Sequence, residues 1–254
     1  CAAAHYGPAK GVPVTLAHRL GRPGRDRGLA HILAVSQAVA EHNLLAAGDV
    51  PWSVLPNFVP ARLLSAPGEP RGRSRDPELP TGEFLLFVGE LHEQKGVGTL
   101  LDAYQQIPAD LRLPLVCLGR PGPRPLALPE GVRARGPWPH DRVMDAVRAC
   151  TAAVVPSRWP DPCPTTVLEA MAAARPLVAT RTGGIPDMVV DGETGLLVEP
   201  DDPGGLAKAL TTLLWDPRRA ASLGEAGRAR VTAFTDTAVA DRLTDLYRRL
   251  ASFR

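Results

Sequence analysis

Apolar residues in this chain fall into short unbroken runs, separated by stretches in which they recur at helical spacing. Phe84-Leu-Leu-Phe-Val-Gly89, Pro114-Leu-Val-Cys-Leu-Gly119 and Ala152-Ala-Val-Val-Pro-Ser157 are runs of this kind, as are the shorter Pro176–Thr180 and Gly195–Val198. Their length and lack of alternation predict strands buried on both faces. Between them, Val97, Leu100, Leu101 and Tyr104 mark one helix, Val143, Met144 and Val147 a second, and Leu206, Leu210, Leu213 and Leu214 a third. Strands alternating with helices predict an α/β fold, a doubly wound parallel sheet of Rossmann-like type covered on both faces. Such sheets bind ligands at the carboxyl ends of their strands. The loops that follow the runs, 89–96, 119–125, 156–164 and 180–186, hold Gly, Pro and charged residues and are therefore the places to look for chemistry.

Ahead of this region, His31–Gly48 followed by Trp52–Val59 reads as strand, helix, strand, with Ser36 placed to cap the helix. Residues 60–82 are rich in Pro, Gly and Arg and have no apolar period, so they read as a connector. Leu243, Leu246, Tyr247 and Leu250 mark a final helix.

Composition narrows the function classes. The hydrophobic fraction of 44% supports a buried core, and the net charge is only +2. Arginines gather at Arg19, Arg22, Arg25 and Arg27 and again at Arg71, Arg73 and Arg75, but no aromatics interleave them, so they read as solvated loop charge and no nucleic-acid partner is expected. The four cysteines, Cys1, Cys117, Cys150 and Cys163, form no C-x-x-C pair. They indicate neither a disulfide framework nor a zinc site, and a cytoplasmic location is the expectation. No apolar run reaches the ~18 residues of a membrane span. None of the six histidines has metal-ligand spacing, and each, His140 included, reads as an ordinary surface or core residue. The chain starts at Cys1 without an initiator Met, and the expectation is a piece of a longer protein.

The segment Val154–Pro200 carries the most chemistry. Asp161 and Glu169 stand eight positions apart across a loop-to-helix junction. A helix N-terminus offers unpaired N–H groups and partial positive charge, which suit phosphate. Carboxylates beside it accept hydrogen bonds from sugar and ribose hydroxyls. Blander roles remain open: Glu169 closing a capping box with Thr166, against Pro164 as the first helical residue; Asp161 as a turn acid; Lys95 as a solvated loop lysine; Trp138 as a packing residue; and Gly183-Gly184 as a tight turn.

Asp161 followed seven residues later by Glu169-Ala170-Met171-Ala172, then Gly183-Gly184-Ile185-Pro186-Asp187, Asp191-Gly192-Glu193-Thr194-Gly195 and Val198-Glu199-Pro200, resembles family 4 of the retaining glycosyltransferases, which have the GT-B fold. The resemblance runs from about His31 to Tyr247. It implies a partial acceptor-side domain over 1–59, a linker over 60–82, a nucleotide-sugar-binding domain over 83–237, and a terminal helix over 238–254 that packs back towards the first domain. It also implies a catalytic set: Glu169 holding the nucleotide ribose, Asp161 the donor-sugar hydroxyls and Lys95 the diphosphate. Gly89, Gly119 and Arg120 would flank the nucleotide, with Trp138 stacking on the base. Ser157, Arg158, Cys163, Pro164, Thr165 and Thr166 would complete the donor pocket. The chain departs from the family at three places: Glu90 stands where the family has Arg, Asp161 where it has Glu, and Pro164 where it has Gly. Arg120 or Arg158 is expected to replace the missing positive charge.

The implied reaction moves a sugar from a nucleoside-diphosphate donor, of UDP or GDP type, to an acceptor hydroxyl with retention, without a metal or other cofactor. The acceptor would be a sugar, lipid or small molecule, and peripheral membrane contact is compatible with it. The rival readings are a sugar-nucleotide epimerase of the same fold and a catalytically inactive nucleotide-sugar-binding domain.

Overall fold

The computed structural model of the protein describes residues 28–65, 76–123 and 125–252. Cys1, His5, His18 and the two arginine clusters lie outside them. The described chain opens with strand β1 (Ile32–Ala34), helix α1 (Gln37–His42) and strand β2 (Trp52–Val54), and the two strands pair in parallel. The Ser36 hydroxyl accepts the Val39 N–H at 3.3 Å, capping α1 as its position predicts.

A four-residue helix, α2 (Arg62–Ser65), follows inside the segment expected to be a bare connector. Leu63 and Leu79 are buried in the main core, so both ends of that segment are packed. Two leucines among Pro, Gly and Arg make no period, which is why the pattern hid them.

The large domain runs β3 (Leu85–Val88), α3 (Val97–Gln106), β4 (Leu115–Leu118), β5 (Val132–Arg135), α4 (His140–Ala149), β6 (Ala152–Val155), α5 (Thr165–Ala172), β7 (Leu177–Thr180), α6 (Ile185–Met188) and β8 (Leu196–Val198). Helices α7 (Pro203–Trp215), α8 (Pro217–Val231) and α9 (Asp236–Ala251) complete it. The sheet has the order β5-β4-β3-β6-β7-β8, and every pairing is parallel. This is the doubly wound α/β sheet that the apolar runs predict.

Alternate residues of each strand feed opposite cores. Leu86, Val116, Leu118, Ala153, Val155, Leu177 and Ala179 face one. Leu85, Phe87, Leu115, Cys117, Ala152, Val154 and Val178 face the other. Both faces are covered, so the central strands β3, β4 and β6 carry no polar alternation, while the edge strand β5 reads Val-Arg-Ala-Arg. Each fully buried Leu of this set contributes about 1.5–3 kcal/mol of transfer free energy.

Helix α8 has no counterpart among the predicted helices. Its buried face is Ala220, Leu223, Gly224, Gly227 and Val231, mostly residues too small to mark a period. The small face is required by the packing. A Cβ on Gly224 would lie 2.3 Å from the Ala174 carbonyl oxygen, just past the end of α5.

Helix α9 is amphipathic as its leucines predict, and Arg242 on it donates to the Val54 carbonyl at 2.7 Å. Val59 bridges in parallel to Thr235, and Asp236 Oδ1 accepts the Ala61 N–H at 3.0 Å. The last helix therefore ties the β1–α1–β2 unit to the large domain.

The strand order also fixes where a ligand binds. The chain leaves β3 towards β4 and β5 on one side, then returns to β6 on the other side of β3. The carboxyl ends of β3 and β6 form the topological switch point, the place where a parallel sheet opens a crevice.

Candidate functional site

The loops leaving β3 and β6 are locked together at that point. Gly96 has φ +74°, and a Cβ there would lie 1.7 Å from the Pro156 carbonyl oxygen, so only glycine allows the approach. The Gln94 carbonyl accepts the N–H groups of both Arg158 and Trp159 at 3.0 Å. The crossing brings Lys95, from the first loop, onto Asp161, from the second. Lys95 Nζ donates to Asp161 Oδ2 at 2.5 Å, with side chains 38% and 14% exposed.

The Asp161 loop is held from behind as well. The Gly184 N–H donates to the Asp161 carbonyl at 2.9 Å. A Cβ on Gly183, which has φ +56°, would lie 2.2 Å from that same oxygen. The Gly-Gly turn is therefore a seat for the acidic loop. From the other side, Asn57 Nδ2 donates to the Cys163 carbonyl at 2.8 Å. Asn57 and Cys163 are 106 positions apart, and nothing local in the sequence singles Asn57 out.

These loops wall a cleft of about 300 Å³. Of the residues expected at the site, the structure brings Gly89, Lys95, Ser157, Asp161, Cys163, Pro164, Thr165 and Thr166 to its lining, joined by Asn57, Phe87, Val88 and Val155. The first turn of α5 opens into it. Pro164 is the N-cap, its side chain caps nothing, and the helix proper starts at Thr165. Pro164 is thus one place ahead of the first-helical position expected for it, and the Thr166–Glu169 capping box is excluded because neither residue is at the N-cap or N3. The Val167 N–H donates to the Pro164 carbonyl at 3.2 Å. Thr165 and Thr166 supply the N–H groups at the mouth.

Glu169 stands one turn further along α5, outside the lining of this cleft; it is 9% exposed and is the only buried acid among the described residues. Its carboxylate Oε1 is 3.0 Å from His140 Nε2. His140 reads as an ordinary histidine in the sequence; here it is the partner of the buried acid. Its 29-residue separation from Glu169 left no spacing signal.

Several expected residues stand elsewhere. Gly119 is a packing residue, since a Cβ there would lie 1.8 Å from the Gly89 carbonyl oxygen. Arg120 is exposed at the loop after β4. Arg158 is committed to carboxylates outside the cleft: it pairs with Asp201 and, at 2.8 Å, with Glu93. Asp201 and then Glu93 push its pKa up from the usual value. It therefore does not stand in for the arginine that Glu90 replaces. Trp138 is outside the lining, and the Arg142 guanidinium lies 3.6 Å from its ring centroid. Arg142 is in turn gripped by Asp76 and Glu78. Cys163 is 4% exposed with its Sγ 3.7 Å from Met188 Sδ, and burial raises its thiol pKa, so it lines the cleft as a neutral thiol. Among the described residues no cluster of three or more His, Cys, Asp or Glu is placed to hold a metal ion.

Comparison with known proteins places the domain that carries this cleft in a family. Residues 82–216 match the family model of the Glycosyl transferases group 1. The chain belongs to the group 1 glycosyltransferases. It is 34% identical over 189 residues to the alpha-maltose-1-phosphate synthase of Mycolicibacterium smegmatis, covering 66% of this chain and 48% of the relative. It is 29% identical over 246 residues to a D-inositol 3-phosphate glycosyltransferase of Streptomyces avermitilis, covering 87% and 51%. The chain thus spans about half the length of the curated relatives it matches. Among solved structures, the sucrose-phosphate synthase of Thermosynechococcus elongatus superposes with a TM-score of 0.71 at 27% identity, over 88% of this chain and 59% of that one. The complex of Anabaena HepE with UDP-glucose superposes at 0.74 and 20% identity, over 92% and 67%, which shows the shared fold. No helix among the described residues is long and apolar enough to cross a membrane.

Proposed function

We propose that this chain is the donor-binding part of a retaining glycosyltransferase of family 4. It would transfer a sugar from a nucleoside diphosphate, UDP or GDP, to an acceptor hydroxyl. The observation that carries the reading is the Lys95–Asp161 pair set beside the uncapped N-terminus of α5 at the switch point of the sheet.

Each part has a chemical task. Lys95 has three N–H donors, so it can hold Asp161 and a phosphate oxygen together. The Thr165 and Thr166 N–H groups, at the positive end of the helix, add donors to the same anion. As the glycosidic bond to the diphosphate breaks, negative charge grows on the leaving oxygen. Fixed donors in a partly dry cleft stabilise that charge more than they stabilise the bound donor. Asp161, held on both sides, orients the sugar. Glu169, deeper along α5, accepts from the ribose hydroxyls. No step calls for a metal ion; the charge relief assigned to Lys95 and α5 is of the kind a cation would otherwise provide. The similarity to a maltose-1-phosphate synthase and an inositol-phosphate glycosyltransferase supports transfer over epimerisation.

Calorimetry with UDP and GDP on this chain tests the binding half of the proposal. Micromolar binding of one of them supports it, and no binding of either refutes it. For the full-length protein, the anomeric configuration of the product by NMR tests retention, and an inverted product would exclude it.

A further inference from the structure

The buried carboxylate of Glu169 sets a problem that His140 solves. A charge taken out of water is costly unless it is paired and hydrogen-bonded. Glu169 is the only buried acid among the described residues, and its carboxylate is met by a half-exposed imidazole at 3.0 Å, with side-chain exposures of 12% for Glu169 and 51% for His140. A carboxylate only accepts, so Nε2 carries the proton in this contact.

The imidazole is held on a rigid base. His140 is the first residue of α4, directly after the N-cap Pro139. Two residues before it, Trp138 is stacked under Arg142; two residues after it, Arg142 is fixed by Asp76 and Glu78. The side chains two residues to either side of His140 are therefore anchored to each other and to Asp76 and Glu78.

We propose that His140 is a positioning residue for nucleotide binding. Its Nε2–H holds the Glu169 carboxylate by one oxygen, Oε1, and so turns the other oxygen towards the ribose hydroxyls of a nucleoside diphosphate. The inference rests on the nucleotide-sugar reading and deepens it, assigning recognition of the nucleoside half to a His–Glu pair and that of the diphosphate half to Lys95 and α5. A carboxylate has room for about four hydrogen bonds, so one imidazole leaves capacity for a vicinal diol. Held by one oxygen, the carboxylate also loses less rotational freedom when the diol arrives.

Calorimetry on the 254-residue chain with UDP, uridine and inorganic pyrophosphate separates the two halves, with GDP and guanosine replacing the uracil pair if GDP binds more tightly. Alanine suits a helix at least as well as histidine, so His140→Ala keeps the fold of α4. The expected result is a loss of about tenfold for UDP and for uridine, the ratio equivalent to 1.4 kcal/mol, with pyrophosphate unchanged. His140→Gln, whose amide nitrogen can take the place of Nε2, should restore binding. Coupled residues do not add, so Glu169→Gln combined with His140→Ala should lose little more than Glu169→Gln alone.

Unchanged UDP affinity in His140→Ala, with Glu169→Gln weakened, overturns the proposal and leaves the donor-binding reading standing. Additive losses in the double variant overturn it too, because they give His140 a role of its own. A purely structural role would lower the melting temperature without separating uridine from pyrophosphate, and that outcome also overturns it. Failure of the unaltered chain to bind UDP or GDP overturns both the proposal and the reading beneath it.

Discussion

Replacing Lys95 by Ala should weaken a nucleoside diphosphate far more than the nucleoside alone. Lys95 Nζ sits 2.5 Å from Asp161 Oδ2 in the wall of the cleft. At ~4 Å and an effective dielectric near ~20, a unit charge on a phosphate is worth about 4 kcal/mol. Part of that is offset because Lys95 already pairs with Asp161 and must share its donors. The net loss is then about 2–3 kcal/mol, within the range for hydrogen bonds to a charged group, or roughly 30–150-fold in Kd. The truncation also leaves the Asp161 carboxylate facing the diphosphate without its counter-charge. Adding Asp161→Asn to Lys95→Ala should therefore recover part of the lost affinity. The fold should be nearly unaffected, because the pair is partly exposed and such pairs contribute about 0–1 kcal/mol to stability. The assay is calorimetric titration with UDP and uridine at two salt concentrations, since screening weakens the diphosphate term alone. Equal losses for UDP and uridine, or no loss for either, would refute the placing of Lys95 on phosphate.

Three other outcomes follow from the geometry. Glu90→Arg should leave diphosphate binding intact and tighten it by a few-fold, because Glu90 is exposed at the mouth of the same loop; titration that shows lost binding would mean that Glu90 itself holds the loop. Gly184→Ala should cost about 1–3 kcal/mol in denaturant unfolding, the range for overpacking, because its Cβ would lie 2.0 Å from the Pro162 carbonyl oxygen and 2.7 Å from Ser36 Cβ. Burial pushes the Cys117 thiol from 9.0 up to about 12; the unfolded thiol ionises first, so this contribution to stability is complete below pH 9, falls across the window from 9 to about 12, and should disappear from the pH profile in Cys117→Ala.

Strands β3, β4, β6, β7 and β8 were legible because they fall in short apolar runs, as a parallel sheet covered on both faces demands, whereas the edge strand β5, Val-Arg-Ala-Arg, forms no such run. Lys95, Asp161 and the start of α5 were legible as candidates because they follow such runs. What was not legible is pairing across distance. Asn57 meets Cys163 over 106 positions, and His140 meets Glu169 over 29. Each contact exists only once the sheet order is fixed, and no local spacing encodes it. Arg158 misled for the same reason: its place in the loop is right, but Glu93 and Asp201 reach its guanidinium first. Helix α8 was hidden by a different cause, since a face of Ala and Gly is what close packing on α5 requires and is what a search for large apolar residues passes over.

The Asp161 loop has no regular structure of its own, and apart from the Asp161 N–H donating to the Trp159 carbonyl at 2.7 Å it is held by its neighbours. Gln94 holds Trp159, Gly184 holds the Asp161 carbonyl, and Asn57 holds the Cys163 carbonyl. Gly184 is in turn pressed against Ser36, and Asp187 Oδ2 accepts the Gln37 N–H at 2.6 Å. Two of these supports lead back to the β1–α1–β2 unit and the segment after it: Asn57 and the start of α1 help to set the position of the acid. A site whose residues must be held within a fraction of an ångström depends on such supports as much as on its own charges. The Asp161 loop thus lies where the β1–α1–β2 unit meets the large domain, and its supports come from both.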